Sequence, residues 1–131
     1  MFYVALTFGL QDDTPLAVER MIGTIEAAGN RHGVPDPLQM TVAVSDGRRL
    51  WAFRYSTERH SRTLFFSTDV RTLRALHPEI EALREVADGA RIVVSEPLGD
   101  LTGAWHEVPE SSYGHVADGG GELRGLVPRP A

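Results

Sequence analysis

Residues 2–10, FYVALTFGL, are apolar almost throughout. Their period is ambiguous, but the Ala and Leu content predicts a buried helix. Gly9 and then Gln11-Asp12-Asp13 close it. Thr14 and Pro15 predict a second helix, with Thr14 as N-cap and Pro15 at the first helical position. From there Val18, Met21, Ile22, Ile25 and Ala28 recur at helical spacing. They form one apolar stripe, with Glu19, Arg20 and Glu26 outside it. Gly29 or Gly33 ends this helix. Pro35 and Pro37 force an extended entry into the next element.

The pattern then changes to strands. Residues 39–45, QMTVAVS, alternate and carry β-branched Thr41, Val42 and Val44. Asp46-Gly47 predicts a tight type I′ hairpin. The return strand runs from Leu50 to Tyr55, with Trp51, Phe53 and Tyr55 on one face. Residues 56–62 are polar and read as a loop. Further strands are predicted at 63–67, 90–95, 105–108, 112–117 and 122–127, and short helices at 70–76 and 79–87. Gly119-Gly120-Gly121 is expected to turn the chain between the last two strands. Strand 50–55 also carries Leu50 and Ala52 on its second face, and Leu64 and Phe66 lie opposite Phe65. Such strands need cover on both faces. Two convincing helices are little material for that, so part of the covering layer is expected outside these residues.

Composition narrows the function classes. The 131 residues suit one domain and contain no cysteine. This excludes disulfides, thiolate metal ligands and a cysteine nucleophile within them. The 18 acidic and 13 basic residues leave a net charge of −5, which argues against nucleic acid as a partner. Every basic residue is Arg and the only Asn is Asn30, a bias that fits a GC-rich coding sequence. No basic leader precedes the first apolar run, which is too short to span a membrane. The expectation is a soluble, cytoplasmic, bacterial protein with no membrane partner.

Local chemistry does not disclose a reaction. His32, His60, His77, His106 and His115 are scattered, and no pair has metal-ligand spacing. Arg48, Arg49, Arg54, Arg59 and Arg62 cluster around one hairpin and could receive a carboxylate or phosphate, although charge runs usually face water. Trp51, Phe53 and Tyr55 could make a ligand platform, although a stripe at strand spacing is more often core. Ser95 and Glu96 follow a buried strand, where such residues commonly satisfy backbone groups. GxSxG and a phosphate-binding glycine loop are both absent. No cofactor is called for, and no catalytic or metal-ligating residue is assigned.

Several stretches nevertheless resemble class II glutamine amidotransferases, within them the stand-alone subfamily that includes the ergothioneine-pathway γ-glutamyl hydrolase. They are Phe2 to Leu10 with Gln11-Asp12-Asp13; Gln39 to Ala43 with Ser45-Asp46-Gly47; Leu50 to Ser56; Val93-Val94-Ser95-Glu96-Pro97-Leu98; and Trp105 to Ser112. Their order and spacing cover essentially all of residues 2–127. The resemblance implies an α+β chain, a portion of an αββα N-terminal-nucleophile hydrolase sandwich with mainly antiparallel sheets. It implies an N-terminal Cys that attacks a glutamine amide, with its own α-amino group as base, an Asn-Gly oxyanion segment, and an Arg and an Asp gripping the substrate.

In that family these residues lie in the N-terminal portion, including a stretch just before the Phe2 helix. Residues 1–131 are therefore expected to be the C-terminal portion of one such domain, without its catalytic part. No catalytic residue carries over, and the substrate-binding residues are unknown. The expected parent activity is amide hydrolysis of glutamine or a γ-glutamyl compound, with this chain inactive alone. Two alternatives are carried. One is a non-enzymatic short protein that pairs through its uncovered sheet with itself or with a separately encoded half. The other is a small ligand-binding module using the aromatic strand.

Overall fold

The computed structural model describes residues 1–97, 99, 103–117 and 120–130, with the side chains of 117 and 120 excepted. Helix α1 spans Phe2–Thr7 and α2 spans Thr14–Arg31. Strands β1 (Gln39–Ser45), β2 (Leu50–Ser56), β6 (Ser112–Ala117) and β7 (Gly120–Gly125) form an antiparallel sheet in the order β1-β2-β6-β7. Strands β3 (Phe65–Ser67), β4 (Val93–Val94) and β5 (Trp105–Glu107) form a second antiparallel sheet, ordered β4-β3-β5. Helix α3 (Val70–Leu76) and a 3-10 turn at Glu81–Arg84 follow β3.

Hydrophobic contacts stack these elements as helix, sheet, sheet, helix. On one side of the larger sheet, Trp51, Phe53 and Tyr55 pack under Ala17, Val18, Met21 and Ile22 of α2. On its other side, Ala52 and Val116 meet Leu64, Phe66 and Val108. Beyond the smaller sheet, Ile92 and Trp105 pack against Leu73 and Leu83. The fold is the α+β arrangement with mainly antiparallel sheets that the resemblance implied.

The cover for β2 thus comes from within the chain, against the expectation that it would lie partly outside. Trp51, Ala52, Phe53 and Tyr55 are all buried. Cover runs out at β1 instead. Its Met40, Val42 and Val44 pack toward the helices, while Ala43 and Ser45 on the opposite face are exposed.

Several local expectations are corrected. Helix α1 is not buried; only Ala5 of it is, and Phe2 and Tyr3 stand in solvent. The N-cap of α2 is Asp13, whose carboxylate accepts from Leu16 N at 3.1 Å, while Thr14 donates its hydroxyl to Leu10 O at 2.8 Å. The β1–β2 turn occupies residues 46–49, and only Gly47 has positive φ, so it is not type I′. The smaller-sheet strands are shorter than their β-branched runs suggested, and residues 79–87 yield only the 3-10 turn. Gly120 and Gly121 belong to β7 rather than to a turn; Gly119 lies outside the described residues.

Glu19, expected outside the stripe of α2, is buried. Its carboxylate accepts from Val127 N and from Arg129 Nε, and its carbonyl accepts from Arg129 N at 3.0 Å. The C-terminal tail therefore lies across α2. It comes so close that a Cβ on Gly23 would stand 1.9 Å from Arg129 O.

Gly23→Ala should therefore destabilise the full chain by about 1–3 kcal/mol, the usual cost of overpacking. In a chain ending at Val127 the sign should reverse, to a gain of about 1 kcal/mol, because Ala is the better helix former. Urea unfolding of the four proteins reads both values. An equal cost with and without the tail would rule out this packing.

Candidate functional site

The arginines clustered in sequence separate in space. Arg48, Arg59 and Arg62 are exposed. Arg49 is held by Asp46, with Nη2 to Oδ2 at 2.8 Å. Arg54 is buried between the sheets. Its Nε donates to Ser61 Oγ at 3.0 Å, and its Nη1 donates to Glu107 Oε1 at 2.6 Å and to Val108 O at 2.9 Å. An ion in that position is tolerated only because donors and acceptors match it closely.

Glu110 completes the cluster. It accepts from Ser56 N at 3.0 Å, Ser61 N at 2.8 Å, Ser111 N at 3.2 Å and the Ser61 hydroxyl. Burial pushes the Glu110 carboxyl up, but the hydrogen bonds from Ser61, Ser56 and Ser111 prevail and hold it below the usual range. A carboxylate so satisfied is a poor base for Ser61, and Arg54 Nε occupies the same hydroxyl oxygen. The chemistry is that of a clamp joining the 57–62 loop to residues 107–111, not of an activated serine. Sequence reasoning missed it. The one signal in the sequence was the polar stretch Glu107-Val108-Pro109-Glu110-Ser111-Ser112.

A second polar cluster lies on the helix side. The cross-strand row Val44–Trp51–His115–Glu122 runs across the sheet, beside the row Phe53–Tyr113–Arg124. Where α2 begins, these rows floor a groove of about 380 Å³, walled by Asp12 and Asp13. Trp51 and His115 stack with centroids 5.5 Å apart, and the Arg49 guanidinium sits 4.8 Å over the Trp51 ring. His115 Nε2 is buried without a hydrogen-bond partner among the described residues. Backbone N–H groups of Arg49 and Arg48 hold the Asp46 carboxyl down to about 2, and so keep the anion that positions Arg49. The groove offers charges of both signs and can hold a polar ligand. The Thr14 hydroxyl, on its rim, is spent on Leu10 O.

The remaining candidates are accounted for individually. The aromatic row is core, and Tyr55 donates its hydroxyl to Glu26 Oε1 at 2.6 Å. Burial and that carboxylate push the Tyr55 phenol well up. Ser95 supplies only its carbonyl, to the Thr63 hydroxyl, and Glu96 is exposed. His32, His60 and His106 are exposed, and His77 lies 3.0 Å from Glu79. Among the described residues no three His, Asp or Glu side chains converge on one point. No helix among them is long and apolar enough to cross a membrane.

Comparison with solved structures finds a glutamine aminotransferase class-II domain protein from Silicibacter pomeroyi. The two superpose with a TM-score of 0.75 and 26% sequence identity, over 98% of this chain and 50% of the other. That likeness supports the class II glutamine amidotransferase family. No family model and no curated protein matches the chain. The chain spans about half the length of its structural neighbour. Within that half, the class II amidotransferase-like fold is complete enough to bury its own core, and it contains no thiol.

If the clamp is structural, Glu110→Gln should cost about 1–3 kcal/mol at pH 7, since hydrogen bonds to a charged group are lost. The native carboxyl is depressed, so its contribution is complete above the ordinary glutamate value of about 4.3 and is lost as pH falls through the lower native value. The gap between wild type and variant should close on that acid limb. Urea melts from pH 7 to pH 2 would show it, and a constant gap would exclude the assignment.

Proposed function

We propose that this chain is the C-terminal part of a class II glutamine amidotransferase-like amide hydrolase that acts on glutamine or a γ-glutamyl compound. The observation that carries the reading is the match of 98% of the chain to 50% of a class II domain, by a chain without cysteine. The nucleophile would come from the complementary half. Its thiol would add to the side-chain amide carbon, the C–N bond would break, and ammonia would leave with the thiol's proton. Water would then hydrolyse the thioester to the acid. Holding a nucleophile beside its base is what such a step requires.

On this reading the present chain is inactive by itself. It supplies one half of both sheets and the rigid clamp that fixes their spacing at one end. The unguarded edge of β1 is equally open to a second reading, a non-enzymatic short protein pairing through its sheet with itself or with a separately encoded half. The ligand-binding alternative predicted aromatic rings facing a pocket. Phe53 and Tyr55 are instead packed under the helices, and Trp51 is 4% exposed.

The purified chain should release no ammonia from glutamine and no product from a γ-glutamyl anilide. Mixed with a cysteine-bearing N-terminal half, it should turn over at least one of them, and iodoacetamide should abolish that turnover. Activity of the chain alone above a heat-killed control would overturn the reading.

A further inference from the structure

The larger sheet has two free edges among the described residues, and they differ in chemistry. The β7 edge carries Glu122 and Arg124, paired at 3.0 Å. Charged side chains are the ordinary protection of an exposed strand. The β1 edge spans seven residues, QMTVAVS, and has no charge, no proline and no bulge in its register with β2. In the smaller sheet the edge strands β4 and β5 have two and three residues and offer little to pair with. Among the described strands, β1 is the one long, bare template for strand addition.

Beside it lies an apolar cavity of about 220 Å³, lined by Met1, Phe2, Leu10, Met21, Met40 and Val42. Met1 and Phe2 of its lining are 51% and 67% exposed, and Tyr3 next to them in sequence is 78% exposed. Exposed aromatic side chains next to an unpaired edge are the two parts of a strand-addition site. The backbone gives affinity and the pocket accepts side chains. On the opposite face of β1, Ala43 and Ser45 are bare because the smaller sheet does not reach beneath them.

The geometry points to the β1 edge and its apolar cavity as the docking site for the complementary, nucleophile-bearing half of the domain. This rests on the proposed amide-hydrolase function and deepens it by naming the surface. The occupant is argued from length: the structural neighbour contains as much chain again as matches here. It would extend the larger sheet as a further strand on β1 and place an apolar side chain under Phe2.

Ala43 and Leu123 provide an internal control, because they end the same cross-strand row, Ala43–Ala52–Gly114–Leu123. Both are exposed, so a lysine at either should leave the fold intact, which unchanged Tm values will verify. The probe is the unmatched half of the Silicibacter pomeroyi protein, tagged and co-expressed with this full chain. Wild type and Leu123→Lys should be captured alike. Ala43→Lys and Phe2→Asp should bind at least tenfold more weakly.

Equal capture of all four proteins would overturn the site and leave the functional reading standing. Capture in the predicted order that yields no glutaminase would support the site and overturn the functional reading. Failure to capture wild type would overturn the docking proposal. A wild-type homodimer in light scattering that Ala43→Lys converts to monomer would make the occupant a second copy, and would overturn it too.

Discussion

Ala52 and Phe53 are neighbours in sequence, are both wholly buried and point to opposite faces of β2. Water can be admitted to neither side of this strand, and the architecture depends on that. The α1–α2 layer must cover Trp51, Phe53 and Tyr55. The smaller sheet must cover Leu50 and Ala52, and its own far side must then be covered by α3 and the 3-10 turn. Arg54 lies on the same strand and cannot be covered by hydrocarbon alone. A buried guanidinium needs partners for its N–H groups. Ser61, Glu107 and Val108 supply them, with Glu110 behind Ser61. The burial of one strand therefore fixes a loop and the exit of another strand some fifty residues away.

The same constraint explains how the chain buries its own core while spanning only half the length of its structural neighbour. Cover is complete where β2 demands it and stops at β1, one strand away. The core is closed under β2, while Ala43 and Leu123, at the two ends of one cross-strand row, stay exposed. Amide hydrolysis by a covalent route needs a nucleophile, a base and an oxyanion hole converging on one carbonyl. Arg54, Ser61 and Glu110 have some of the right atoms, but each donor and acceptor is committed to its neighbour. Their geometry sets the spacing of the sheets.

Much of the fold was legible because period and burial coincide in α2, β1 and β2. The alternation of Trp51, Phe53 and Tyr55 and the stripe from Val18 to Ala28 both reflect a face turned to one core. The illegible parts depend on partners distant in sequence. Glu19 breaks the helical stripe because its partner, Arg129, is 110 residues away. The clamp joins residues separated by 49 to 54 positions. The apolar runs within 63–67 and 90–95 signal strand propensity, but how many residues pair depends on the neighbouring strands. Asp46 favoured a tight turn, yet its carboxylate caps the N–H groups of Arg48 and Arg49 and holds a longer one. Function was legible only through resemblance, since no local motif carried a reaction.

The two sheets also constrain what kind of partner the proposed site at β1 could take. The larger has four strands of six or seven residues, and the smaller has three strands of two or three. Sheets packed face to face bury their inner surfaces only where they overlap. Here the overlap ends before β1, leaving Ala43 and Ser45 bare on the face that should be internal. A single added peptide strand would pair with the β1 edge and leave that inner face wet. Burying both requires a partner that adds to the larger sheet and slides more of the smaller sheet beneath it. The surface therefore favours a folded half, with strands for both layers, over a short linear motif. Such a half would share a continuous core with this chain across β1.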